Sequence, residues 1–217
     1  MKGFLVALVL GAFVGLGSTA DAALSPRLGG MAVYDDDLDV TWLADADANN
    51  GRMTWLDANA WAASLAVGGF TDWRLPTTAD PDASCTDDAA GTNPSADAIG
   101  WNCTGSELGH LFYNELGGTA GISILSSGDP DLALFSNIQP FYWSSTQSVA
   151  KPDFAWIFEP VHDFQLHSGV QQTVAKGNIE WAWAVRTGDV GAVPIPAAAW
   201  LFGSALGLLG WMRRTRR

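Results

Sequence analysis

Apolar residues follow three patterns along this chain. They form near-continuous runs at residues 4–16 and 197–212, a helical spacing early in the intervening stretch, and alternating positions later in it. Continuous runs at the ends of a chain are typical of targeting or anchoring segments. Helical and alternating spacings are typical of elements that bury one face. The pattern therefore predicts a folded region between two targeting segments.

The first half of the intervening stretch predicts two strands, two helices and a further short strand. Strands are expected at 31–34 and 40–43, and another at 70–75, ended by a proline. One helix is expected to begin at Thr54 and to end at the glycines 68–69, and a second is expected to begin at Thr104, where Glu107 completes a capping box. The buried stripe of the first helix is predicted as Ala58, Trp61, Ala62 and Leu65, and that of the second as Leu108, Leu111 and Phe112.

The second half predicts only short strands, at 141–146, 154–158, 170–175 and 181–185, with Gly, Asn, Asp or Pro in the loops between them. Early helices followed by late antiparallel strands indicate the α+β class. We therefore expect an α+β fold, a single domain with two main helices and short antiparallel strands.

The N-terminus predicts a secretory signal peptide over residues 1–22. Lys2 supplies the positive charge, and the apolar run follows it. Ala20 and Ala22 place small residues at the two positions that signal peptidase reads, so cleavage is expected after Ala22. Signal peptidase is thus a predicted partner, and an uncleaved N-terminal anchor is the alternative.

The C-terminus predicts a membrane-spanning tail. The run 197–212 would be about 24 Å long as a helix, slightly shorter than a hydrocarbon core of about 30 Å. A cationic cluster that follows such a run stays cytoplasmic and stops transfer. The expected membrane stop consists of Arg213, Arg214, Arg216 and Arg217. A transmembrane helix at 197–212 is therefore predicted, and a helix of a soluble core is the alternative.

A short proline motif precedes this run, formed by Val193, Pro194, Ile195, Pro196 and Ala197. Together with the run and the arginines, residues 194–217 resemble a PEP-CTERM sorting signal of the VPLPA subtype. The resemblance implies that an exosortase is a partner and that the tail is removed near Pro196. It also implies transient anchoring in the inner membrane of a Gram-negative bacterium, followed by delivery to the envelope surface or extracellular matrix.

The charge of the exported part excludes one class of partner. Residues 23–196 keep six of the eleven Lys and Arg and 22 of the 23 Asp and Glu, so their net charge is −16. Such a surface repels nucleic acid, and nucleic-acid binding is not expected. Neutral polysaccharides, cationic partners and acidic polysaccharides bridged by a divalent metal remain compatible with it.

Two cysteines lie in the exported part, Cys85 and Cys103. An oxidising compartment favours a disulfide between them, which would close the Asp-, Ala- and Gly-rich loop 86–102. The alternative, a redox or metal-binding pair, lacks the CxxC spacing and a nearby histidine.

Three phrases carry a second resemblance: GFTDWRLPT at 69–77, YWSST at 142–146 and WAVR at 183–186. In this order and spacing they resemble the Lcl C-terminal domain family over about residues 30–188, which leaves linkers at 23–29 and 189–193. The resemblance implies a C-type-lectin-like α+β fold. No catalytic residues are established for the family, so none are assigned to this chain. The family's named member adheres to sulfated glycans, but this chain has few cations with which to bind them.

The phrases also contain candidate ligand-binding residues. Arg74, Trp143 and Arg186 could line a ligand groove. The competing interpretation is structural: the tryptophans 73, 143, 156, 181 and 183 would fill the core, and the two arginines would pair with carboxylates.

Calcium is the one candidate cofactor, since no cofactor is certain from the sequence. Asp45, Asp47 and Asn49 offer oxygen ligands at alternate positions, although the loop departs from an EF-hand at its glycine and at its twelfth residue. The second candidate loop is Asp35, Asp37 and Asp39, and a solvated acidic turn is the alternative for both. A zinc site built from the histidines 110, 162 and 167 is not favoured, because nothing in the sequence brings them together.

These observations predict a noncatalytic surface or extracellular-matrix protein that binds glycan or exopolysaccharide. The first alternative is a structural matrix component without a specific ligand, whose main property is its acidic surface. The second is an enzyme on a lectin-like fold. We expect no enzyme, because the related formylglycine-generating chemistry needs free cysteines or copper ligands, and both cysteines are predicted to be paired.

Overall fold

The computed structural model describes residues 24–161 and 167–191. The predicted signal peptide, the proline motif, the transmembrane helix, the terminal arginines and His162 lie outside these residues. Within them, no helix has the length and apolar character needed to cross a bilayer.

The first sheet joins the two ends of the domain. It is antiparallel, with the strand order β1-β2-β3-β7. Its strands are β1 (Ser25–Arg27), β2 (Ala32–Asp35), β3 (Val40–Leu43) and β7 (Val185–Thr187). The strands β2 and β3 confirm the two predicted near the N-terminus. Every residue of β3 is buried, so both faces of this central strand are covered.

The second sheet is a three-stranded antiparallel meander. Its strands are β4 (Tyr142–Gln147), β5 (Phe154–Glu159) and β6 (Val170–Ala175), in that order. The prediction of these three strands is confirmed. The central strand β5 is buried on both faces from Ala155 to Glu159. One of those faces is covered by the disulfide loop, since Trp156 packs with Cys85, Ala98 and Cys103.

The helix α1 (Trp55–Ser64) begins where the sequence predicts. Thr54 is its N-cap, and the Thr54 side chain accepts a hydrogen bond from the backbone N–H of Asp57. Ala58 and Ala62 are fully buried. The helix ends at Ser64 rather than at the glycines 68–69, because Leu65, its C-cap, adopts an extended conformation.

The second helix differs from the prediction at its start. It comprises α2 (Glu107–His110), continued by a single π-helical turn over Leu111–Glu115. The N-cap is Ser106, whose hydroxyl accepts from the Gly109 N–H, and not Thr104. Glu107 is therefore the first helical residue rather than the third, and its carboxylate is bound by Arg74 instead of closing a capping box.

Two predicted strands and two predicted linkers need correction. Residues 70–75 form no strand: Phe70 makes a bridge with Val67 and Arg74 one with Val185. Of the predicted strand 181–185, only Val185 lies in a strand, β7, and Trp181 makes one bridge to Tyr142. The segment 23–29 is not a free linker, because β1 pairs with β2. Likewise Val190 is buried in the region expected to be the second linker.

Aromatic side chains form the centre of the core. The structural interpretation is confirmed for Trp73, Trp143 and Trp183, whereas Trp156 is buried beside the disulfide and Trp181 is only partly buried. Trp183 packs edge-on against Trp42 and Phe135, with ring centroids 5.4 and 5.2 Å apart. Its indole N–H donates to the Leu43 carbonyl at 2.8 Å, and that of Trp143 donates to the Met53 carbonyl at 2.9 Å. These bonds satisfy the one polar atom of each large side chain and allow its burial.

The disulfide between Cys85 and Cys103 is present, as predicted. The loop that it closes adds to the second sheet, because Gly100 and Gln171 exchange backbone hydrogen bonds of 2.9 and 2.8 Å. Gly100 has a φ of 135°, and a Cβ there would lie 1.9 Å from the Thr86 carbonyl oxygen. Only glycine, which has no Cβ, allows these two backbone segments of the loop to come so close together.

Candidate ligand-binding cleft

A surface cleft of about 320 Å³ lies between the disulfide loop and the β4–β5 turn. The disulfide loop supplies Asp97 and Ile99 to one wall, and the turn supplies the opposite wall with Val149 and Lys151. The lining is completed by Asp80, Pro81, Ala96, Ser148, Ala150, Trp156 and Thr173. The cleft thus combines two carboxylates and one ammonium group with apolar surface.

Asp80 is held in place by two hydrogen bonds. Its Oδ2 accepts from the Val149 N–H at 3.0 Å and from the indole N–H of Trp156 at 3.1 Å. Trp156 itself is buried, so it fixes the carboxylate from below rather than offering its ring to a ligand. Both bonds go to the same oxygen, which leaves Oδ1 as the acceptor for a group in the cleft.

The cleft also exposes apolar side chains. Val149 is 77% exposed and Ile99 is 37% exposed, on opposite walls. Exposed apolar groups beside the oriented carboxylate of Asp80 are suited to a ligand that has both apolar faces and hydroxyl donors.

The six cations of residues 23–196 are all engaged with aromatic or acidic groups. Three arginines form ion pairs of 2.6 to 2.8 Å: Arg27 with Asp189, Arg74 with Glu107 and Arg186 with Asp72. The other three lie over aromatic rings: Arg52 over Trp181, Lys151 over Phe154 and Lys176 over Trp55. The guanidinium groups lower the pKa of Asp72 and Asp189 by hydrogen bonding, which keeps both partners charged.

The three residues proposed for a groove do not form one. Trp143 is completely buried and belongs to the core. Arg74 is bound bidentately by Glu107, at 2.7 and 2.6 Å, and Arg186 by Asp72, at 2.8 and 2.9 Å. These arginines hold segments of the fold together, so the assignment of Arg74, Trp143 and Arg186 to a ligand groove is corrected.

The first candidate calcium loop is closed by its own hydrogen bonds. Oδ1 of Asp45 accepts from the Asp47 N–H and the Asn137 amide, both at 3.0 Å. Oδ1 of Asp47 accepts from the Gly51 N–H at 2.9 Å, and the amide group of Asn49 donates to the Gly51 carbonyl. These bonds account for the loop's shape without an ion, and calcium binding there stays a prediction.

The second candidate loop divides between surface and interior. Asp37 and Asp39 are exposed, and Asp39 accepts from the Tyr34 hydroxyl at 2.9 Å. Asp35 points inward and is 0% exposed. Burial raises the pKa of the Asp35 carboxyl, and burial together with the nearby Asp35 raises that of Glu115.

The two described histidines lie in different surroundings. His110 contacts the carboxylate of Glu115, whereas His167 packs edge-on against Trp101. Among residues 24–161 and 167–191, no group of metal-ligating atoms contains two histidines. The metal-ligating atoms of Asp82, Cys85 and Cys103 lie close together, but this group offers no thiolate because both sulfurs are in the disulfide.

Sequence reasoning did not find the cleft. Its residues come from three loop segments, around positions 80, 97 and 150, and from Trp156 of β5 and Thr173 of β6, and no short motif links them. The only local signal was the unusual loop composition between the cysteines, which marked a wall of the cleft without indicating its partner.

Comparison with known proteins identifies the domain. Searches of curated proteins and of solved structures found no match. The Lcl C-terminal domain matches residues 31–186, which is more than half of the chain and includes both sheets except β1 and the last residue of β7. The presence of this domain is consistent with an exported or cell-surface protein. The disulfide is also consistent with export, since disulfides persist in oxidising compartments. The chain belongs to the Lcl C-terminal domain family.

Proposed function

We propose that this protein is a noncatalytic surface or extracellular-matrix module that binds a neutral polysaccharide. The observation that carries the proposal is the cleft between the disulfide loop and the β4–β5 turn. Its volume of about 320 Å³ lies at the lower end of the range for ligand sites. A cleft of this size holds one or two sugar units of a longer chain.

The chemistry of the cleft suits sugars. A sugar ring presents hydroxyl donors at its edge and C–H groups on its faces. Oδ1 of Asp80 and the carboxylate of Asp97 can accept from hydroxyls, while Ile99 and Val149 can contact the C–H faces. Asp80 is already oriented by Trp156, so little ordering is needed on binding.

The charges favour a neutral ligand over a sulfated one. All six cations of the exported part are engaged, and the net charge of that part is −16. Lys151 is the one cation among the residues that line the cleft, and two carboxylates, Asp80 and Asp97, line it as well. A polysulfated chain would therefore meet net repulsion.

The route to the surface is also part of the proposal. A signal peptide cut after Ala22 and an exosortase cut near Pro196 would release the domain. The released domain would have the C-type-lectin-like fold that its family resembles. The tail would anchor it only until that cut. The disulfide supports export, since such bonds persist in oxidising compartments.

A purely structural role in an acidic matrix is the second candidate, and the net charge of −16 favours it. The two candidates differ in one respect. A structural component needs no specific cleft, so altering two cleft residues would leave its interactions unchanged.

An array of neutral oligosaccharides, with sulfated heparin oligosaccharides for comparison, tests the proposal. We expect neutral glycans to bind, with and without chelator, and the Asp97→Ala/Lys151→Ala variant to bind at least ten times more weakly. The control is Asp87→Ala, an exposed residue of the same loop outside the cleft. Binding that is absent from all neutral glycans, or unaffected in the double variant, contradicts the proposal. Binding that requires a metal would replace direct recognition by a metal bridge.

A further inference from the structure

Two carboxylates and one imidazole meet where the turn between β2 and β3 contacts α2. Asp35, His110 and Glu115 each offer one ligand atom, and these atoms lie within 4.8 Å of one another. Asp35 is 0% exposed and Glu115 is 5% exposed, and the His110 side chain is 12% exposed. None of the three lines the proposed glycan cleft.

One oxygen of this cluster lacks a partner. Oδ1 of Asp35 accepts from the Leu38 N–H at 3.0 Å. Its Oδ2 is buried and has no hydrogen-bond partner among the described residues. The indole of Trp42 lies close enough to favour the charged carboxylate, but its own Nε1 is likewise without a hydrogen bond. A bare carboxylate oxygen in the interior is costly, and a bound cation would satisfy it.

The π turn is what brings Glu115 to His110. In an α-helix, residues five apart point about 140° away from each other. The turn over Leu111–Glu115 instead closes with a bond from the Leu116 N–H to the Leu111 carbonyl. This wider turn places Oε1 of Glu115 at 3.1 Å from Nε2 of His110. Single π turns recur at functional sites, where they reposition side chains in this way.

The spacing of the three atoms is close to that of metal ligands. Ligands bound tetrahedrally at about 2.0–2.2 Å from an ion lie about 3.3–3.6 Å from one another. Nε2 of His110 lies 3.1 Å from Oε1 of Glu115, and all three ligand atoms lie within 4.8 Å of one another. Nε2 of His110 also lies 3.8 Å from Oδ2 of Asp37. The Asp37 side chain is 50% exposed, so it also opens the cluster to ions from solvent.

We propose that Asp35, His110 and Glu115 bind one divalent transition-metal ion of the Zn²⁺ type. Imidazole is a preferred ligand of such ions, whereas Ca²⁺ and Mg²⁺ select sites made only of oxygen ligands. The ion links the turn after β2 to the end of α2. Its role is structural, and it is independent of glycan binding.

Asn114 orients the imidazole. Its amide nitrogen, Nδ2, lies 3.1 Å from Nδ1 of His110. Metal binding requires the amide turned by 180°, so that its oxygen takes this position, accepts from Nδ1–H and leaves the lone pair of Nε2 for the metal. Partners of this kind hold the ligand in the required tautomer, so Asn114→Ala should weaken metal binding by about 10–100-fold.

The test uses the full chain, purified without a polyhistidine tag and stripped with chelator. Zn²⁺, Mn²⁺ and Ca²⁺ are titrated separately by calorimetry, and bound metal is counted by mass spectrometry. We expect one Zn²⁺ per chain and a rise in the unfolding midpoint of about 5–10 °C at a hundred times Kd. His110→Gln should lose at least 100-fold in affinity for Zn²⁺, whereas Asp36→Asn, in the same acidic turn, should bind as the unaltered chain does.

Circular dichroism and the intact disulfide verify that each variant is folded, and Asn114→Ala provides a milder change outside the ligand set. A graded loss of affinity, about 10–100-fold in Asn114→Ala and greater in His110→Gln, supports the site. The proposal is overturned if no Zn²⁺ or Mn²⁺ binds, if Ca²⁺ alone binds, or if folded His110→Gln retains the affinity.

Discussion

The ion pair between Arg74 and Glu107 provides a sharp test of how this fold is held together. Replacing Arg74 by Met keeps the apolar stem and removes the guanidinium. Glu107, whose side chain is 13% exposed, then keeps only the Thr77 N–H, which donates to Oε2 at 2.6 Å. The change therefore leaves a largely buried carboxylate with most of its partners removed.

The magnitude follows from the bonds that are lost. Two charge-assisted hydrogen bonds, of 2.7 and 2.6 Å, connect Arg74 to Glu107. Breaking a fully buried pair costs about 3–5 kcal/mol, but the Arg74 side chain is 32% exposed and water can replace part of the loss. We therefore expect Arg74→Met to lower the free energy of unfolding by about 2–3 kcal/mol.

Urea denaturation followed by tryptophan fluorescence measures this change. Arg52→Met is the matched control, since Arg52 is an exposed arginine that lies over a ring, and it should cost less than about 1 kcal/mol. Adding Glu107→Gln completes a double-mutant cycle, with an expected coupling of about 1–2 kcal/mol. The reasoning is refuted if Arg74→Met costs less than 0.5 kcal/mol, or if it leaves the domain stable but unable to bind its ligand.

Three further predictions concern stability. Replacing Cys85 and Cys103 by Ala opens a loop with a sequence separation of 18 and should cost about 3 kcal/mol in urea denaturation, and an unchanged midpoint would contradict this. Gly100→Ala should cost about 2–3 kcal/mol by the same measurement, because its Cβ would overlap the Thr86 carbonyl, and a cost within experimental error would contradict the close approach. Burial raises the pKa of Tyr113 to about 12, so the unfolded chain loses this proton at a lower pH, near 10, than the folded chain does. The difference in the free energy of unfolding between the unaltered chain and Tyr113→Phe should therefore shift against the unaltered chain by about 1.4 kcal/mol between pH 8 and pH 11. A difference that does not change with pH would show that Tyr113 is not shielded from solvent.

Local signals were sufficient to predict much of the fold. β3 and β6 have the predicted bounds, because their β-branched and apolar residues are flanked by clear turn residues. Thr54 caps α1 as expected, since its capping partner Asp57 is only three residues away. These elements depend on neighbours in sequence, and the sequence therefore identifies them.

Long-range partners explain what the sequence did not predict. The capping-box pattern favours Thr104, but Ser106 is the cap and Glu107 binds Arg74, 33 positions away, instead. The π turn and the meeting of Asp35 with Glu115 depend on packing between distant segments. The cleft has the same origin, because its walls are loops far apart in sequence, and the disulfide loop reaches the second sheet through the pairing of Gly100 with Gln171.

The most direct test of the proposed function is to map the binding surface by NMR. A neutral oligosaccharide selected on the array is titrated into the isotope-labelled protein, and amide shifts are recorded for each residue. The account predicts that the shifts cluster around Asp97, Val149, Lys151 and Thr173, with little change near Arg74. Shifts that cluster around Arg74 and Arg186 instead, or no shift with any neutral oligosaccharide, would contradict it.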